Sequence, residues 1–310
     1  MTQADAQSDS EEGLTRQEMQ QEEDEPPSKR AKQDAFAKLM APKPKTILSP
    51  PKPPGTRPHL FKNRMALGAY IAAPESYPAS VVIYYNADFV VIHDKFPKAT
   101  VHTLLLPRSP KHTLLHPFEA LRDVEFLEKV RVEVGKLKVL VAAELQRRLG
   151  SFSRSDAARE AVLNGDAEPE LEEVQDGAAE EAQDVNDKGQ EEDKDKGKEP
   201  QLPPGRDWAA DLMCGVHAVP SMGNLHIHVL SRDMHSPAMK HRKHYNSFNT
   251  PFLVDVADFP LGEADPRRIP KDEGYMRRDL VCWRCGRNFG NRFKELKDHL
   301  DKEFDEWKRE

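Results

Sequence analysis

The stretch richest in reactive side chains is Ser221-Met222-Gly223-Asn224-Leu225-His226-Ile227-His228-Val229-Leu230-Ser231. His226 and His228 alternate with Leu225, Ile227 and Val229, which is the period-two pattern of a half-buried strand. Residues two apart on a strand share a side, so Asn224, His226 and His228 are expected on one face with the aliphatics beneath them. Imidazole is the side chain best suited to serve as a neutral nucleophile or an acid/base near neutral pH. One histidine on a strand is usually an ordinary surface residue. Two on one face, with His217 shortly before and His235 just after, make a candidate catalytic group.

A second constellation is Cys282-Trp283-Arg284-Cys285 followed by His299 and Glu303, a Cys-x2-Cys-x13-His-x3-Glu spacing. Two cysteines on a knuckle, with His299 and Glu303 four apart on one helix face, can supply four ligands to a tetrahedral zinc ion. Carboxylate is a competent zinc ligand, though Cys and His dominate structural sites; without Glu303, water or another group must close the site. Phe289, Phe293 and Leu296 would form the small core between the two halves of such a finger. From Tyr275 to His299 there are seven Lys/Arg against three Asp/Glu. That balance suits nucleic acid better than an acidic partner.

Composition then divides the chain that must position these groups. Of 310 residues, 32% are charged and 25 are proline, so part of the chain cannot bury a core. Residues 1–58 are polar and then proline-rich and are expected to be a disordered tail. Within them Pro26-Pro27-Ser28-Lys29-Arg30-Ala31-Lys32 is a basic cluster of the nuclear-import type. Segment 151–205 holds 17 Asp/Glu and 6 Lys/Arg, a balance of −11; the whole chain carries −7, so the remainder carries −7 + 11 = +4. The overall acidity therefore does not argue against a nucleic-acid partner. The segment is expected to be a disordered acidic insertion, tolerated because loop-closure entropy grows only logarithmically with length.

The three cysteines are too few for a disulfide framework and fit a reducing compartment. The amino terminus lacks the apolar segment of a signal peptide, and no apolar run approaches the ~18 residues of a membrane span.

The remaining elements read as one α+β domain over 59–260, with an antiparallel sheet split by the insertion and a finger over 261–310. His59–Ile71 has apolar residues at helical spacing; it is either a packing helix or an exposed basic helix on which Phe61 stacks against a base. Val81–Tyr85 and Phe89–Ile92 form a hairpin around Asn86-Ala87-Asp88. Asp94-Lys95-Phe96-Pro97-Lys98-Ala99 is a polar loop, placed where phosphate contacts usually sit. Val101–Leu106 is a strand stopped by Pro107. Residues 119–149 form the clearest helix, with Leu121, Val124, Leu127, Val130, Val134, Leu137, Val141 and Leu145 as its core stripe. Leu212–Val219 is a strand that turns at Pro220 into the histidine strand.

Asn224-Leu225-His226-Ile227-His228-Val229-Leu230 resembles the histidine-triad motif, His-φ-His-φ-His-φ-φ, of a superfamily of nucleotide hydrolases and transferases. Gly215–Met222, Lys243–Thr250 and the terminal finger narrow the resemblance to the aprataxin family, of fungal type without a forkhead-associated domain. It covers 59–150 and 206–310, and it departs at the first triad position, where Asn224 stands for histidine.

The resemblance implies a histidine-triad fold and a DNA-repair enzyme that removes AMP from 5′-adenylated ends left by abortive ligation. His226 would be the nucleophile that forms a histidine–AMP intermediate, with His228 and His217 donating to phosphate oxygens and helping the leaving group. It further implies substrate or DNA contacts from Phe61, Asp94, Lys95, Lys98, Ser221, Met222, Asn224, Ser231, His235 and Lys243. One structural zinc ion on Cys282, Cys285, His299 and Glu303, a nuclear location, DNA with nicks or ends as partner, possible DNA-repair proteins and a monomeric state complete the expectation. Two other readings remain at this point. One is a general histidine-triad hydrolase of adenosine phosphoramidates or dinucleoside polyphosphates; the other is a DNA-end-binding module with a degenerate site.

Overall fold

The computed structural model describes residues 64–171 and 200–310. The expectations for Phe61, the amino-terminal tail and the basic cluster lie outside the described residues. The elements in chain order are α1 (Leu67–Ala72), β1 (Val82–Tyr85), β2 (Phe89–His93), β3 (His102–Pro107), α2 (Pro117–Ala120) and α3 (Val124–Leu149). Then come α4 (Arg154–Leu163), β4 (Glu170–Leu171), β5 (Pro200–Gln201), β6 (Leu212–His217) and β7 (Ile227–Ser231). The last are α5 (Arg242–Asn249), β8 (Leu253–Asp255), α6 (Pro270–Glu273) and α7 (Phe293–Trp307). Among the described residues, no helix is long and apolar enough to cross a membrane.

Six strands form one antiparallel sheet in the order β1-β2-β3-β7-β6-β8. The histidine strand β7 is therefore interior, bonded to β3 on one side and to β6 on the other. Strand alternation sorts the side chains. Phe89, Val91, Leu105, Ile227, Val229, Cys214 and Val216 pack in one core with α3, whereas Val90, Ile92, Leu104 and Leu106 pack on the opposite face with Leu67 and Met222. β7 is buried on both faces rather than half-buried.

The long helix starts later than its periodicity suggests. Asp123 caps α3 by accepting from the Phe126 amide, and Pro117 starts the separate short helix α2. Val124, expected in the core stripe, is consequently 64% exposed on the first turn, while Leu121 is buried before it. Arg147 and Arg148 close the helix where its dipole favours cations.

The acidic insertion is narrower than composition suggests. Ser153 caps α4 through the Asp156 amide, and Asp156, 4% exposed, accepts from Trp208 Nε1 at 2.8 Å and from the Arg206 amide at 2.9 Å. Residues 151–163 thus belong to the folded domain, because a buried carboxylate with two donors ties them to the entry of β6. β4 and β5 pair antiparallel beyond them.

Nor does the finger begin as a separate core at 261. Leu280, Cys282, Phe289, Leu296 and Leu300 share one buried cluster with Leu230, Met234, Met239, Tyr245 and Phe248. Trp307, at the end of α7, is buried with Trp208 in the core under the sheet. Arg206 lies between those two indoles, 4.1 and 4.8 Å from their centroids, and pairs with Asp211 at 2.8 Å.

Candidate active site

The face of the sheet turned away from α3 carries the imidazoles. On β6, Leu212, Cys214 and Val216 face the α3 core, so alternation turns His217 to the other side. On β3 and β7 the same rule brings His102 and His228 there, with Leu104 directly opposite His228 across the strands. His226 lies one residue before β7 and joins them. The four rings line one cleft, with Leu67, Tyr70, Asp94, Lys95, Lys98, Ser221, Met222 and Phe248 also on its walls. Ring centroids are 4.5 Å apart for His217–His228, 5.0 Å for His226–His228 and 5.2 Å for His102–His228.

Burial sets the protonation state. Desolvation holds His226 below the ordinary histidine range and pushes His102 down to about 4. His217 and His228 are held well below that range, by desolvation first and then by neighbouring imidazoles. All four rings are therefore neutral at pH 7, each with one N–H donor and one lone pair.

The hydrogen bonds fix which nitrogen is which. The Lys98 amide donates to His102 Nδ1 at 3.1 Å, so neutral His102 carries its proton on Nε2. That N–H donates to His228 Nδ1 at 2.9 Å, which leaves the His228 proton on Nε2. Asp94 Oδ2 stands 3.4 Å from the same His102 nitrogen and supports this tautomer. Among the described residues His228 Nε2 has no partner, so a buried donor is aimed at nothing in the protein. His217 Nε2 is likewise buried without a partner. His226 has the opposite polarity. Its Nδ1 donates to the Asn224 carbonyl at 2.8 Å, leaving the Nε2 lone pair uncommitted. The cleft thus presents an imidazole lone pair beside a fixed imidazole donor, the pairing needed to attack an electrophilic phosphorus and to stabilise its oxygens.

The other expected contacts divide. Asp94, Lys95, Lys98, Ser221 and Met222 line the cleft. Lys98 is 3% exposed, and its ammonium donates to the Phe96 carbonyl at 2.7 Å. Asn224 is not on the wall of the cleft. The chain bends there before β7 starts, its carbonyl is what serves His226, and its amide side chain lies 3.7 Å from where a Cβ on Gly68 would stand.

Ser231, His235 and Lys243 do not line the cleft. The Ser231 hydroxyl donates to Asp233 and accepts from the Val101 amide, a structural bracket between β3 and β7. His235 stacks on Phe304 at 4.1 Å and pairs with Asp301 at 3.2 Å, which directs it to the finger helix. Lys243 lies in the first turn of α5. His102 and Phe248 belong to the cleft although spacing did not single them out.

The second constellation also closes. Cys282, Cys285, His299 and Glu303 each offer one ligand atom, all within 4.8 Å of one another. Cys285 Sγ is 3.1 Å from His299 Nε2, which is 3.3 Å from Glu303 Oε1. Arg284 donates to the other Glu303 oxygen at 2.7 Å and holds that carboxyl below its usual range. Two thiolates, an imidazole and a carboxylate converging this closely suit tetrahedral zinc, and the arginine orients the carboxylate from behind.

Fold and cleft together define the class, a histidine-triad protein with a zinc-binding finger. The HIT domain family matches residues 77–235, and the C2HE / C2H2 / C2HC zinc-binding finger family matches residues 249–306. The chain is 32% identical over 245 residues to the aprataxin-like protein of Schizosaccharomyces pombe, covering 78% of this chain and 81% of that one. It is 32% identical over 243 residues to the aprataxin-like protein of Saccharomyces cerevisiae, covering 78% and 95%. The crystal structure of the aprataxin orthologue Hnt3 in complex with DNA matches with a TM-score of 0.53 at 30% identity, over 79% of this chain and 96% of that one. The chain belongs to the aprataxin family, and its function is that family's, DNA repair by a histidine-triad hydrolase.

Proposed function

We propose that the protein removes AMP from 5′-adenylated DNA ends, with His226 as nucleophile. The observation that carries this reading is the polarity of the two imidazoles. His226 Nδ1 is committed to the Asn224 carbonyl, so its Nε2 lone pair is free; His228, set by His102, holds a donor beside it. The lone pair of His226 Nε2 forms a P–N bond to the adenylate phosphorus as the P–O bond to the DNA 5′-phosphate breaks. His228 and His217 donate to the phosphate oxygens. Water then breaks the P–N bond, releasing AMP and restoring the imidazole.

Lys98 and Lys95 supply cations for the two phosphates at the cleft wall. Because Asn224 acts through its carbonyl, its replacement of a histidine leaves the nucleophile's orientation intact, which disfavours the degenerate-site reading. The DNA-bound state of the related Hnt3 favours a DNA end over a free dinucleotide. The finger holds one structural zinc ion, and the protein works as a nuclear monomer.

The test is nicked duplex DNA bearing a 5′-adenylate, incubated with wild type and His226→Ala. Conversion to 5′-phosphate by wild type alone, with DNA affinity kept by the variant, establishes reaction and nucleophile together. Intact adenylated DNA alongside cleavage of a small adenosine phosphoramidate would instead assign a general histidine-triad hydrolase.

A further inference from the structure

Helix α5 physically joins the zinc knuckle to the histidine cleft. The Tyr245 hydroxyl donates to the Val281 carbonyl at 2.8 Å and accepts from the Trp283 amide at 2.9 Å, gripping the backbone on both sides of Cys282. Tyr245 is 1% exposed, so its hydroxyl has no water as a substitute partner. Asn246 Nδ2 donates to the Arg278 carbonyl at 2.8 Å, and Arg242 donates to the carbonyls of Arg277 at 2.9 Å and Arg278 at 2.8 Å. Three residues of the helix are thus pinned to the finger's backbone.

Less than one turn beyond Tyr245, Phe248 lies against the imidazoles. Its ring centroid is 4.8 Å from that of His217, 5.2 Å from His228 and 5.4 Å from His102. Residues three apart on a helix cannot shift independently, because the intervening backbone is one rigid turn. Any movement of Tyr245 on the knuckle is a movement of the wall that His217 and His228 rest on.

We propose that Tyr245 is a positioning residue for the histidine centre, carrying the placement of the zinc knuckle through α5 to Phe248. The finger then supports turnover itself and does more than hold DNA, so even an adenylate without DNA depends on it. The proposal rests on the reading that this cleft cleaves adenylates. A displacement near 1 Å in a catalytic constellation can cost about a hundredfold in rate, so partial loosening of α5 should register clearly.

The experiment uses the full zinc-loaded chain as Tyr245→Phe and as Arg242→Met, with a small adenosine phosphoramidate as substrate. Arg242→Met cuts only exposed anchors, so it remains informative if Tyr245→Phe fails to fold. The expected result is unchanged zinc content, KM within about twofold, and kcat lowered about tenfold in Tyr245→Phe, with a smaller drop in Arg242→Met. Imidazole NMR signals of His217 and His228 should shift in both variants, since the Phe248 ring moves over them. Unchanged kcat and unmoved imidazole signals in folded, zinc-replete variants would overturn the proposal. A wild type that cleaves no adenylate would remove the functional reading instead, and the imidazole shifts would still decide whether Tyr245 positions the rings.

Discussion

Four neutral imidazoles packed in one cleft should make the fold acid-labile at a pH where ordinary carboxylates are still ionised. The perturbation is a drop from pH 7.5 to 5. A histidine whose folded-state pKa is depressed binds its proton more readily when unfolded, so its contribution to stability is full above the unfolded value and is lost as pH falls towards the folded one. For His102, with an ordinary value of 6.5 pushed down to about 4, the affected window runs between those two values. At pH 5 the linkage relation gives a loss of about 2 kcal/mol from His102 alone. His217, His226 and His228 are shifted in the same direction and add to it. Asp233, raised by burial, acts in the opposite sense.

A domain of typical stability, about 5–15 kcal/mol, should therefore lose a large share of it by pH 5. Urea midpoints measured from pH 7.5 to 5 provide the assay, with the slope of unfolding free energy against pH giving the protons taken up. His102→Phe should remove close to one proton from that slope near pH 5.5. A midpoint that does not move between pH 7.5 and 5 would refute the argument, because it would mean that the rings are hydrated and ordinary.

Three further outcomes follow from the packing. Cys285→Ser should lower zinc content and expose Trp307 to solvent, seen as a red shift in fluorescence, since metal binding and finger folding are one process. Asp156→Ala strands the Trp208 indole N–H and the Arg206 amide and should cost about 2–3 kcal/mol in urea unfolding, against nearly nothing if 151–163 were only an appendage. Gly215→Ala places a Cβ 2.5 Å from the Val254 carbonyl oxygen, so β6 and β8 must separate; about 1–3 kcal/mol of stability and a fall in kcat are expected, His217 being two residues on.

The parts of the site readable from sequence were those whose signal is local. Alternation around His226 and His228 announces a strand, and Cys-x2-Cys with His299 and Glu303 one helical turn apart announces a metal site, because the residues that cooperate are neighbours in the chain. His102 meets His228 across 126 positions, so nothing near it discloses the partner. Its only trace is a histidine alternating with Leu104 and Leu106 in an otherwise apolar strand. His235 misled for the converse reason: nearness in sequence to the motif placed it with the cleft, whereas the turn after β7 sends it to Phe304. Averaging charge over 151–205 hid Ser153 and Asp156, whose three-residue spacing is itself a helix-start signal. Asn224 illustrates a limit of motif reading, since the group that matters there is a backbone carbonyl that any residue type would supply.

The short pairing of β4 with β5 has a practical consequence. Leu171 and Pro200 face each other across two antiparallel strands, so the chain leaves the folded domain and returns to it at nearly one point. The sequence between them closes on a stem instead of bridging two distant places. That makes the stem a natural graft point: a fluorescent protein or an affinity handle whose own termini lie close together could be spliced there without stretching the sheet. Such a chimera would report on the protein's arrival at damaged DNA.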